Sequence, residues 1–104
     1  MTQRPSEMPF EYRGASILGL RQIDRMNGVA KGTAFRAFKR IRHELYEDRD
    51  FFVVTIDEPA DTASAQLMRR MREADALYPG SRVAVLLTAA AYGLMQDIAR
   101  PHDQ

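Results

Sequence analysis

Leu18–Leu45 reads LGLRQIDRMNGVAKGTAFRAFKRIRHEL, and two apolar stripes inside it decide the fold. Leu18, Leu20, Ile23 and Met26 recur at helical spacing, which predicts a first helix of about two turns. Asn27-Gly28 ends it, because both residues tolerate the left-handed backbone that closes a helix. Gly32-Thr33 then provides a helix start. Ala34, Ala37, Phe38, Ile41 and Leu45 mark the apolar side of a second, longer helix, with Phe35 at the edge of the stripe. A short helix, a tight glycine-containing turn and a second amphipathic helix make the pattern of a helix-turn-helix.

The second helix is also where the charge sits. Lys31, Arg36, Lys39, Arg40 and Arg42 fall between Lys31 and His43 with no acid among them, in a chain whose net charge is only +1. A concentrated patch on a near-neutral molecule is the electrostatic footprint of a nucleic-acid reader, although a charge run is commonly no more than a solvated face. The outer side would carry Arg36, Lys39, Arg40 and His43, with Lys31, Gly32 and Thr33 at the helix start. Such a helix fits the major groove of double-stranded DNA. Arginines there can bind guanine edges in pairs of hydrogen bonds, Gly32 lets the backbone come close, and the first-turn N–H groups can donate to a phosphate.

Outside that unit the pattern is mixed. Phe10–Ile17 predicts a short strand or extended segment with a turn at Arg13-Gly14. Phe51–Ile56 and Arg82–Thr88 are rich in β-branched and aromatic residues and predict two antiparallel strands. Between them Ala65, Leu67, Met68, Met71, Ala74 and Leu77 or Tyr78 follow helical spacing, with Asp61-Thr62 as cap and Pro79-Gly80 as stop. Thr88 would cap a last helix over 89–99. The expected architecture is an α+β fold of winged helix-turn-helix type, with a two-stranded antiparallel sheet and an inserted helix, over 60–78, in place of a short wing. Residues 1–9 read as a flexible tail, 10–99 as one domain and 100–104 as a C-terminal tail; 104 residues at 45% hydrophobic content suffice for one core.

The run YRGASILGLRQIDRMNGVAKGTAFRAFKRIRHELYEDRDFFVV resembles the phage regulatory N-terminal domains of the KilA-N and Bro-N group, especially the Orf-six N-terminal type. Tyr12–Gly14 matches their "YRG", Ile23–Gly28 the helix ending near "NG", Gly32–Phe38 the "GTA-x-R-x-F" helix and Glu47–Phe52 the "EGxDYF" segment. Val83–Gln96 is similar to their "LLTExGYxxL". Asp48 stands where the family has glycine and Ala90 where it has glutamate, departures that bear on the wing more than on the helix pair. The resemblance spans about residues 12–96 and implies a stand-alone DNA-binding regulator of mobile-element origin.

Other classes find little support. The absence of cysteine removes disulfides, thiolate metal sites and cysteine nucleophiles. Ser6, Ser16, Ser64 and Ser81 have no neighbouring His and acid, and His43 and His102 lie far apart without metal-ligand spacing. Asp57-Glu58 before Pro59 reads as the acidic start of a helix rather than a catalytic pair. Gly28 and Gly32 match no phosphate loop. No enzyme, cofactor or metal is expected. Met1–Arg13 joins no basic region to an apolar one, and no apolar run is long enough to cross a bilayer, so a cytoplasmic protein with no membrane contact is expected. A homodimer is expected too, because one reader of this size makes few contacts; Met68, Met71, Leu94 and Met95 would supply its apolar surface. The competing function is a phage-type protein-interaction factor, an antirepressor or host-defence inhibitor, that meets its partner through the mixed charges Arg69, Arg70, Arg72, Glu73 and Asp75.

Overall fold

In the computed structural model, which describes residues 8–99, Arg13 and Gly14 both take positive φ (52° and 79°) and so close a two-residue hairpin. The hairpin joins β1 (Phe10–Tyr12) to β2 (Ala15–Gly19), which runs on into α1 (Leu20–Asn27). Then come α2 (Thr33–Ile41), a 3-10 turn over Arg42–Glu44, β3 (Phe51–Thr55), α3 (Thr62–Glu73), β4 (Val83–Thr88) and α4 (Ala89–Ala99). The four strands form one antiparallel sheet in the order β1-β2-β4-β3.

The fold is α+β, and the expected β3–α3–β4 arrangement is present, but the sheet has four strands rather than two. The reason is the alternation Ile17-Leu18: Ile17 faces one side of the sheet and Leu18 the other, so β2 is buried on both faces and pairs with β4. Leu18 therefore belongs to a strand, and the first helix starts at Leu20. The second helix ends at Ile41, where φ and ψ of −109° and 5° leave the helical region, and not at Leu45. The third is shorter than 60–78 because Asp75 turns the chain with a φ of 57°.

Both faces of the sheet are covered. On one, Tyr12, Ile17, Phe52, Val54 and Leu86 pack against Leu67, Met68 and Met71 of α3. On the other, Leu18, Phe51 and Leu87 meet Ile23 of α1, Phe38 and Ile41 of α2, and Met95 of α4. Met68, Met71 and Met95 are core residues, so the apolar dimer surface expected from them does not exist; Leu94 is half-buried. Met8, placed in the expected tail, accepts a hydrogen bond at its carbonyl from Gln22 Nε2 (2.9 Å). Residues 1–7 and 100–104, with the rest of the expected tails, lie outside the described residues.

Two caps are as the sequence suggests. Thr88 Oγ1 accepts from the Ala91 N–H (3.2 Å), and Asp61 Oδ1 accepts from the Ser64 N–H (2.8 Å). The Ser64 N–H and hydroxyl, and then Arg13, hold the Asp61 carboxyl below the usual carboxylate range. A carboxyl depressed in the folded state contributes stability above its unfolded value, and that stability is lost as pH falls through the folded one. The thermal midpoint should thus drop as pH falls below about 4, the usual carboxylate range. Asp61→Asn keeps a capping oxygen and should flatten part of that acid limb; a limb of unchanged steepness would count against the cap.

Candidate nucleic-acid interface

α1 and α2 are joined by five residues, and glycine is needed at both ends of that turn. Gly28 closes α1 at φ 64°, its N–H donating to Arg25 O (3.2 Å), and Gly32 opens α2 at φ 92°. The turn is fixed from inside by Asp24, a residue only 2% exposed. Its carboxylate accepts from the Gly32 N–H (3.1 Å), the Ala34 N–H (2.8 Å) and the Tyr78 hydroxyl. The Thr33 N–H donates to Ala30 O (3.1 Å). These amides are thus already satisfied, and the expected phosphate site at the start of the second helix is taken by a carboxylate of the chain itself. Gly32 and Thr33 border the face without lending it their N–H groups.

The segment after α3 completes the support. Arg21 donates to Asp75 Oδ1 (2.9 Å) and Leu77 O (2.8 Å), and Arg25 donates to Asp75 O (2.8 Å). Asp75 is thereby turned toward α1 and does not belong to the outer face of α3. Burial first, then the hydrogen bond to Asp24, pushes the Tyr78 hydroxyl up to about 12. Neither Asp24 nor Tyr78 was among the expected site residues. The available signal was position: Asp24 stands four after Leu20 and one after Ile23, on the core-facing side of α1, where a carboxylate must find donors.

With its inner side against the sheet, α2 turns Phe35, Arg36, Lys39 and Arg40 outward, all exposed, and Lys31 lies exposed just before it. Arg36 leans back over the turn, its Nη2 3.5 Å from Thr33 Oγ1. Lys39 Nζ lies 5.2 Å from the centre of the Phe35 ring, and Lys31 Nζ 5.2 Å from that of Tyr78. Among the described residues none of Lys31, Arg36, Lys39 and Arg40 has an ion pair, whereas Arg13, Arg21, Arg42 and Arg49 each face a carboxylate. His43 sits on the 3-10 turn beyond α2, exposed, its Nε2 3.6 Å from Glu44.

Of two clefts, only the first borders α2. The first, of ≈ 270 Å³, lies between α1, α2 and α4, lined by Asp24, Asn27, Thr33 and Gln96 among others. The other, of ≈ 470 Å³, lies beside Ile56, Arg72, Tyr78 and Arg82. Neither is lined by histidine or cysteine, and among the described residues no three His, Cys, Asp or Glu side chains cluster as a metal would need. No helix among the described residues is long and apolar enough to cross a membrane. The unit defined here is a helix pair with a basic outer face, mounted on a four-stranded antiparallel sheet. No known family's sequence profile, no curated protein and no solved structure matches the chain.

Proposed function

We propose that α1 and α2 work as a helix-turn-helix and that the protein is a sequence-specific, double-stranded-DNA-binding transcriptional regulator. It acts in the cytoplasm as a homodimer, without catalysis or cofactor. One observation carries this reading: Lys31, Arg36, Lys39 and Arg40 form an outward face free of acidic partners among the described residues, on a helix whose start is held rigid by Asp24. Cations without protein partners are the ones that displace counterions from phosphates. The resemblance to phage regulatory domains over residues 12–96 agrees with it and supplies the proposed mobile-element origin and winged helix-turn-helix type.

The test is a gel shift against the DNA upstream of the protein's own gene, in a salt series. Arg36→Ala should lose about 1–3 kcal/mol of binding and relax preference at one base position, as for an arginine on a base edge. Lys39→Ala, at a phosphate, should weaken all sequences alike and flatten the salt slope by about one unit per half-site. Both should keep the parent's stability within about half a kcal/mol, since the side chains are exposed. A specific observation supports the second reading, a protein-interaction factor: Arg69, Arg70, Arg72 and Glu73 lie together, exposed, on α3, across the sheet from α2. Folded Arg36→Ala and Arg40→Ala variants that bind every DNA as the parent does would favour it.

A further inference from the structure

The two edges of the sheet are treated differently. β1 is three residues long, and its outward Glu11 carbonyl accepts from Arg70 Nη2 of α3 (3.3 Å). β3 is the opposite edge. The Ile56 N–H donates to Arg82 O (2.9 Å) and the Thr88 N–H to Asp50 O (3.1 Å), so the even-numbered residues of this stretch carry the ladder to β4. The odd-numbered ones, Phe51, Val53 and Thr55, direct their N–H and C=O groups away from it. Phe51 O accepts from the Asp48 N–H (2.7 Å), whereas among the described residues nothing reaches the outward groups of Val53 or Thr55. The preceding segment covers only the start of β3, where Glu47 bridges Phe51; from Val53 on, the strand has no lysine, no proline and no bulge to protect its edge. Beside it lies apolar surface, with Val53 43% and Val83 48% exposed on the same face of the sheet.

We propose that β3 pairs antiparallel with β3 of a second copy of this chain, making one continuous eight-stranded sheet. An antiparallel strand offers its own outward N–H and C=O groups as the complement of an identical strand, so a second copy is the occupant this edge fits without any foreign sequence. The two-fold axis of such a pairing is perpendicular to the sheet, so each face continues into the same face of the partner. Both α2 helices then stand on one side with their basic faces pointing the same way. Val53 and Val83 of each copy come together beneath them. The ends oppose association: Glu47, Asp48 and Asp50 against Arg49 precede β3, and Asp57 and Glu58 follow it, so antiparallel pairing brings net acidic flanks together. Salt therefore strengthens this contact by screening it, the opposite of its effect on DNA binding.

The inference rests on the homodimer part of the proposed function and not on DNA. Light scattering of the parent should give twice the chain mass, with dissociation on dilution and tighter association at higher salt. Val53→Pro removes an outward N–H without touching the β4 ladder, and Val53→Lys puts a charge on an exposed side chain; both should give the single-chain mass while circular dichroism keeps the parent spectrum. Should the proline variant not fold, Val53→Lys carries the comparison. Amide exchange reads the same contact without mutation: the Val53 and Thr55 N–H groups should be protected in the concentrated protein and released on dilution. A parent that is monomeric at every concentration overturns the dimer itself. A parent that is dimeric, with these amides unprotected or with the folded Val53 variants still dimeric, overturns the β3 contact alone.

Discussion

Phe38→Ala should cost about 3–5 kcal/mol of folding stability, the usual range for emptying an aromatic core position. Phe38 is 3% exposed, and its ring meets Phe51 edge to face, 5.0 Å between centroids at 71°. Through that contact α2 is fixed to the edge strand β3, and Ile23, Ile41, Leu87 and Met95 complete the same cluster. Alanine leaves a void that α2 cannot fill by sliding, because Asp24 holds its start and Ile41 its end. A domain of this length has only about 5–15 kcal/mol in total, so the loss is a large share of it. Each kilocalorie lowers the melting temperature by about 4–8 °C at this size. Thermal and urea unfolding both measure the loss, and an unchanged midpoint in either would mean that the α2 register is wrong.

Local chemistry is what the sequence spelled out. The turn at Asn27-Gly28, the start at Gly32-Thr33, the caps at Asp61 and Thr88 and the stripe Ala34-Ala37-Phe38-Ile41 are each set within a few residues, and each is where local rules place it. The stripe also shows which side of α2 is wet, so Arg36, Lys39 and Arg40 were legible as a face. What failed was non-local. Leu18 fits a helical spacing with Leu20 and Ile23, yet it lies on β2, because pairing with Leu87 of β4 can only be known once the chain has folded back. Met68, Met71 and Met95 read as spare apolar surface for a dimer, since nothing local says that α3 covers one face of the sheet and α4 the other. The phosphate site failed for a similar reason: its rival, Asp24, is eight residues from Gly32 and ten from Ala34.

Asp24→Ala is therefore the more searching change, because it removes one acceptor from three donors on two separate segments. The Gly32 N–H, the Ala34 N–H and the Tyr78 hydroxyl each lose their partner, at on the order of 1–3 kcal/mol for a donor left buried. The turn borders solvent, so water re-satisfies part of this, and a loss of about 2–4 kcal/mol in unfolding free energy is expected, with faster amide exchange at Gly32 and Ala34. Tyr78→Phe removes only the hydroxyl and should cost less, and the two changes together should cost less than their sum, since they delete members of one network. Alkali probes the same network without mutation. The Tyr78 hydroxyl is raised from 10.0 to about 12 in the folded state, so its share of stability is complete below pH 10 and is lost as pH climbs from there toward 12. Tyr78→Phe should remove that share of the alkaline limb. A parent and a Tyr78→Phe variant with identical alkaline limbs would remove Tyr78 from the network, whereas an Asp24→Ala protein as stable as the parent would mean that the start of α2 is held by its apolar face alone, and that its amides are open to a phosphate after all.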